Sequence, residues 1–256
     1  MKETLLILGD SFADPREGLP DYTGESWTKL LEKSNDYTVI NKAVGGSSLY
    51  YSKLEFDKLQ KEVDKVMLVV TVAGRLYFPI NDLPEKSAAH HTSNPLWNQL
   101  NMENIKKTNP SNITGIKQLE AVRDYFLYIC DWTKDYYVNQ LILEDMKNIR
   151  PDIILVPAFQ GSWYRPNYPT SYLNQISDME MEHYGITHDD LSIKTGYADC
   201  RKCHMSERNN QIVFEKSLKW LKGDPVEFDI SEFEKPTEPR EKYFPMRKDW
   251  EMRFAK

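Results

Sequence analysis

Cysteine is scarce in this chain: three in 256 residues, Cys130, Cys200 and Cys203. So sparse and odd-numbered a set excludes a disulfide scaffold and fits a reducing compartment. No apolar run reaches the ~20 residues of a membrane-crossing helix, so no membrane partner is expected. Positive charge is in short supply too: 33 Lys and Arg against 39 Asp and Glu leave a net charge of −6. That balance argues against nucleic acid as a main partner. Internal repeats and low-complexity tracts are lacking. So is a signal-peptide core, because only Met1–Thr4 precede the first apolar run and Leu5–Leu8 is too short for one. Taken as the native start, this predicts a cytoplasmic protein. A second C-x-x-C is missing, so Cys200 and Cys203 beside His204 fall short of the four ligands of a structural zinc site. The pair reads as packing, with a redox pair as the alternative; no metal is expected.

What is present suffices for a large core. Hydrophobic residues make up 40% and aromatics 12%, which excludes global disorder. The length suits one large domain or a domain with appendages. Leu5–Leu8, "YTVINKAVGG" around Val39 and Ile40, "KVMLVVTVAG" and "DIILVPAF" (152–159) read as strands. "SWTKLLEK" (26–33), "FDKLQKEV" (56–63), a long pattern from Thr114 to about Asn148 and "SERNNQIVFEKSLKWL" (206–221) read as helices. Strands separated by helical patterns predict a parallel sheet covered on both faces, an α/β/α three-layer sandwich. Residues 1–223 are expected to form this domain, with an insertion at about 75–150. Its first part, to 114, reads as a long loop, and such loops tend to be lids or binding segments. Residues 224–256 form a C-terminal arm in which Phe228, Phe233, Tyr243, Phe244, Trp250 and Phe254 recur. Those aromatics predict docking on the body or on a partner subunit, the latter giving a homo-oligomer.

The chemistry-bearing residues fall at strand ends, where ligands collect in an open parallel sheet. The first strand delivers Gly9-Asp10-Ser11, the second ends in "NKAVGGSSL", the third in "TVAGRLY", and "ADCRKCHMSERNN" precedes the last helix. Ser11 is either a nucleophile on a tight turn or a strand-ending cap. Ser206 is a candidate N-cap, but Asn209 at N3 leaves the capping box incomplete. Trp163 and Tyr164, just past the fourth strand, offer flat amphipathic faces for a substrate or for loop packing.

This set of blocks resembles the SGNH (GDSL-type) hydrolases. "GDSFAD" looks like their first block, "NKAVGGSS" their second and "HMSERNNQIVFEKSLKWL" their fifth, while "ESWTKLLEK" matches the helix that commonly follows the first. The resemblance implies a flavodoxin-like SGNH fold, Ser11 as nucleophile, Gly46 as an oxyanion-hole glycine beside the Ser11 N–H, and His204 as base. It implies no cofactor and an ester substrate, a small molecule or a glycan, with a short acyl group on a carbohydrate preferred. Two departures stand out. The third block lacks its Asn; the turn reads Thr71-Val72-Ala73-Gly74-Arg75, which leaves Arg75 as the candidate donor. The acid expected three residues before His204 is Arg201; the nearest carboxylate is Asp199, five before. Asp199 completes a triad if the turn is loose enough, and otherwise the site is a Ser–His dyad. An esterase acting through an acyl-serine is the leading expectation. A non-catalytic binding or assembly protein, or an acyltransferase using the same residues, are the alternatives.

Overall fold

The computed structural model describes residues 2–16, 24–77, 106, 111, 113–159, 172–188, 191 and 197–245. Four parallel strands form one sheet: β1 (Glu3–Leu8), β2 (Tyr37–Asn41), β3 (Lys65–Val70) and β4 (Ile154–Pro157), in the order β2-β1-β3-β4. Leu5 of β1 stands opposite Val39 of β2 and Lys65 of β3, and Met67 of β3 opposite Ile154 of β4. The order reverses between β1 and β3, the switch point at which a doubly wound sheet opens a crevice.

Strand periodicity sorts the core into two layers. Leu5, Ile7, Met67, Val69 and Val156 face one side. There they meet α1 (Trp27–Lys33), α5 (Leu173–His183) and α6 (Glu207–Leu221) through Trp27, Ile176, Val213 and Trp220. Leu6, Leu8, Val66, Leu68 and Val70 face the other. They pack on α2 (Leu49–Leu59) and on α4 (Trp132–Ile149) through Phe56, Leu143 and Met146. The architecture is the α/β/α sandwich that the alternating pattern predicts.

Two expectations need correction. The helix expected over 56–63 runs instead over Leu49–Leu59, because the Ser48 side chain accepts the Tyr51 N–H at 3.2 Å and caps it earlier. Its buried residues Leu49, Ser52 and Phe56 include a serine, which broke the apolar pattern. Helix α5 was not expected at all. Its buried stripe, Leu173, Ile176, Ser177, Glu180 and Met181, carries a serine and a glutamate that disguise the helical period. The pattern from Thr114 resolves into α3 (Ile113–Tyr128) and α4, the latter capped by Asp131, which accepts from Thr133 N and Lys134 N. The Ser206 side chain caps α6 by accepting from Asn209 N.

The described part of the arm lies on the body. Phe228 and Phe233 join the core beside Trp220, with the Trp220 and Phe228 rings 5.1 Å apart. Tyr243 ends a one-turn helix, α7 (Arg240–Tyr243), and packs with Phe244 against Met181 and Ile186. Trp250 and Phe254 lie outside the described residues. Among the described residues no helix is long and apolar enough to cross a membrane.

Candidate active site

The chain leaves β1 through Gly9, whose φ of +142° suits glycine, and a Cβ there would lie 2.7 Å from the Val69 Cβ. The turn that follows is tied by Asp10. Its carbonyl accepts the Ala13 and Asp14 N–H groups, both at 2.9 Å, and its Oδ1 accepts the Phe12 N–H at 3.0 Å. Trp27 Nε1 donates to the Phe12 carbonyl at 2.7 Å and pins the turn from below. Ser11 sits at its apex, 8% exposed.

The loop after β2 is fastened to this turn at several points. The Val44 N–H and the Ser47 hydroxyl both donate to the Gly9 carbonyl, at 3.1 and 2.8 Å. The Gly45 N–H donates to Asp14 Oδ2 at 2.9 Å, and Arg16 grips the same carboxylate through Nε and Nη2 while also donating to the Ala43 carbonyl. Gly46 follows with φ +74°, a left-handed conformation that costs glycine little. Among the described residues, no acceptor takes the Ser11 or the Gly46 N–H.

Arg75 joins the two blocks from β3. Its Nη1 donates to Asp10 Oδ2 at 2.9 Å and to the Ser47 carbonyl at 3.1 Å, and Thr71 Oγ1 donates to the same Asp10 oxygen at 2.6 Å. The Asp10 side chain is fully buried and that of Arg75 is 9% exposed. The guanidinium of Arg75 is therefore first an anchor, holding the residue before Ser11 to the residue after Gly46. Among the described residues its Nε and Nη2 have no acceptor. Arg75→Ala strands a buried carboxylate, a change that typically costs about 3–5 kcal/mol. The midpoint of urea unfolding should fall accordingly; an unchanged midpoint would mean that Thr71 and the Phe12 N–H suffice for Asp10.

On the other side of Ser11, the Phe12 ring lies 5.1 Å from the His204 ring. Phe159, just past β4, touches Phe12 edge-on at 5.3 Å and carries the Arg75 guanidinium over its face at 5.3 Å. Arg75, Phe159, Phe12 and His204 thus form one continuous row of contacts that passes through the Ser11 turn at Phe12. His204 is delivered by a tight loop in which Cys203 and His204 both adopt positive φ, 49° and 59°. Such strain persists only where the surroundings enforce it. Asn210 does so, its Nδ2 donating to the carbonyls of Lys202, Met205 and Ser206 at 2.8, 2.9 and 3.1 Å.

His204 Nδ1 lies 3.0 Å from Asp199 Oδ2. Burial pushes the Asp199 carboxyl up, but the Arg201 guanidinium and the His204 hydrogen bond outweigh it and hold the group well below the usual carboxylate range. The carboxylate is therefore ionised and can only accept, so the proton of a neutral imidazole resides on Nδ1 and the basic lone pair on Nε2. A depressed folded-state pKa stabilises the fold above the unfolded value of about 4 and loses that contribution as pH falls below it. Between pH 5 and 3 the melting temperature of the wild-type protein should therefore drop more than that of Asp199→Asn. Parallel curves would contradict the assignment.

The four-residue gap between Asp199 and His204 is thus closed by the loop. Ser11, Gly46, Arg75, Asp199 and His204 lie at one edge of the sheet, whereas Trp163 and Tyr164 fall outside the described residues. Cys200 and Cys203 are buried and form no disulfide, and Cys203 Sγ lies 3.6 Å from the Asp14 carbonyl. Sequence reasoning missed Asp14 and Glu180. The signal for Arg201 was present, since it stands where an acid was expected.

No protein-family model matches the chain, and no curated protein matches it. Among solved structures it is similar to TesA, at 16% identity over 86% of this chain and 98% of that one, TM-score 0.34. It is also similar to the psychrotrophic esterase EstA from Pseudoalteromonas sp., at 16% identity over 87% and 100%, TM-score 0.34. A third is Axe2, an acetylxylan esterase from Geobacillus stearothermophilus, at 16% identity over 61% and 60%, TM-score 0.27. Likenesses this distant transfer no residue role.

Proposed function

We propose that the chain is a serine esterase of the SGNH type. The observation that carries this reading is the Asp199–His204 contact of 3.0 Å, set against a turn whose apex is Ser11. His204 Nε2 takes the proton of the Ser11 hydroxyl as Oγ attacks the ester carbonyl, and the imidazolium is stabilised by Asp199. The tetrahedral oxyanion is met by the Ser11 and Gly46 N–H groups, which have no acceptor among the described residues. Collapse expels the alcohol, protonated by His204, and leaves an acyl-serine. Water, deprotonated by His204, then releases the acid and frees Ser11.

Arg75 stands in for the side-chain donor absent from the third block. Asp10 offsets its charge, so its contribution to the hole comes from its remaining donors rather than from a free cation. A short acyl group on a carbohydrate is the proposed substrate class, and Trp163 and Tyr164, which follow β4 in the sequence, are the proposed substrate-binding residues. Purified protein should hydrolyse short-chain p-nitrophenyl esters, with no diversion of product on adding an acceptor sugar. Absence of turnover across acyl lengths would refute the esterase reading, and acyl-sugar formation would make it a transferase.

A further inference from the structure

The geometry points to the C-terminal arm as the element that positions the Asp199–His204 pair, acting through Phe244 and Arg201. The inference rests on the proposed catalytic reading of that pair, but its structural half stands apart from it. Four residues separate Asp199 from His204, so the loop between them needs outside support. The arm supplies it. The N–H groups on either side of Asp199 both donate to the arm: Ala198 to the Pro245 carbonyl at 3.2 Å and Cys200 to the Tyr243 carbonyl at 3.0 Å. Between those two arm residues stands Phe244, 1% exposed, with the Arg201 guanidinium 4.7 Å over its ring.

The Arg201 side chain is completely buried and its donors are divided between its own loop and α5. Nε and Nη2 fork onto Asp199 Oδ1 and Oδ2, both at 2.9 Å, and the Arg201 N–H reaches Oδ1 at 3.0 Å. Nη1 donates to Glu180 Oε2 at 3.0 Å and to the Ser177 carbonyl, while Nη2 also reaches the Ser177 hydroxyl. Glu180 in turn accepts the Ser206 N–H, the first donor after the His204 loop, at 2.8 Å. Oδ1 of Asp199 is thus fully engaged and Oδ2 is fixed toward His204. The carboxylate cannot rotate away while the fork holds. A planar guanidinium resting on an aromatic face provides that; a lysine ammonium does not.

The test uses Arg201→Lys and Phe244→Leu in the full chain. Both keep the buried charge and most of the volume, but they loosen the fork or its support. Among the described residues, the charged groups on the loop of His204 are Asp199, Arg201 and Lys202, with Glu180 of α5 bound to Arg201, while the β1 turn contributes the neutral Phe12 ring. With the positive charge retained and the carboxylate loosened, the imidazolium loses stabilisation. The His204 titration midpoint, followed by imidazole 15N NMR and assigned with His204→Gln, should move to lower pH in both variants. In parallel kcat should fall roughly 10- to 100-fold in Arg201→Lys, as a small misplacement of a catalytic group does, with KM within about twofold; Phe244→Leu should move the same way by less. Wild-type midpoint and kcat in both variants, whatever their melting temperatures, would overturn the inference. If Arg201→Lys does not fold, Phe244→Leu decides alone. Shifted midpoints in a protein that hydrolyses no ester would uphold the positioning and refute the esterase reading instead.

Discussion

Asp199→Asn is expected to lower kcat by roughly four orders of magnitude while the protein stays folded. The amide keeps the shape of the carboxylate and can still meet His204 Nδ1, now 3.0 Å from Oδ2. It can do so, however, by donating its own N–H, which forces the imidazole proton to Nε2 and removes the lone pair that Ser11 needs. It also removes the negative charge that stabilises the imidazolium. Arg201 keeps Glu180 and Ser177 as partners, so the loop retains much of its support. Steady-state kinetics with p-nitrophenyl acetate, alongside thermal unfolding, measures both effects. A loss below about tenfold, far short of what removing a triad acid brings, would make the site a Ser–His dyad.

The other large effect is that of Ser11→Ala. Removing the nucleophile of a serine hydrolase costs on the order of a million-fold in kcat, so turnover should fall to background. Stability should change little, because among the described residues the Ser11 hydroxyl makes no hydrogen bond for the substitution to break. Retained turnover would move the nucleophile elsewhere. Lost turnover with lost folding would indicate a structural role for the turn, which urea unfolding of the variant would reveal.

The residues that were legible in the sequence are those whose signal is local. A β-branched or leucine run ending in glycine marks a strand and its crevice end, so β1 and β3 and the turns carrying Ser11 and Gly46 could be placed. Asp199 could be named because it was the nearest acid to His204, although only the folded loop, with Cys203 and His204 at positive φ, brings it within reach. What could not be read depends on partners far apart in sequence. Arg75 could be named as the candidate donor of the third block, but not the anchoring of its Nη1 to Asp10 and Ser47. Nothing local in α5 distinguishes Glu180 from a solvated helix acid, and only its burial against Arg201 and Ser206 does so. The aromatics of the arm predicted docking, but not that Phe244 would lie against the residue that grips Asp199.

The central claim is that Ser11 is the nucleophile of a hydrolytic site. Labelling with a fluorophosphonate probe, followed by peptide mapping, tests it most directly, because the probe reacts only with a serine activated by its base and oxyanion donors. The account predicts a single adduct on the peptide containing Ser11, absent from Ser11→Ala and slow to form in Asp199→Asn. An adduct on any other residue, or no adduct on a protein that does hydrolyse esters, would contradict it.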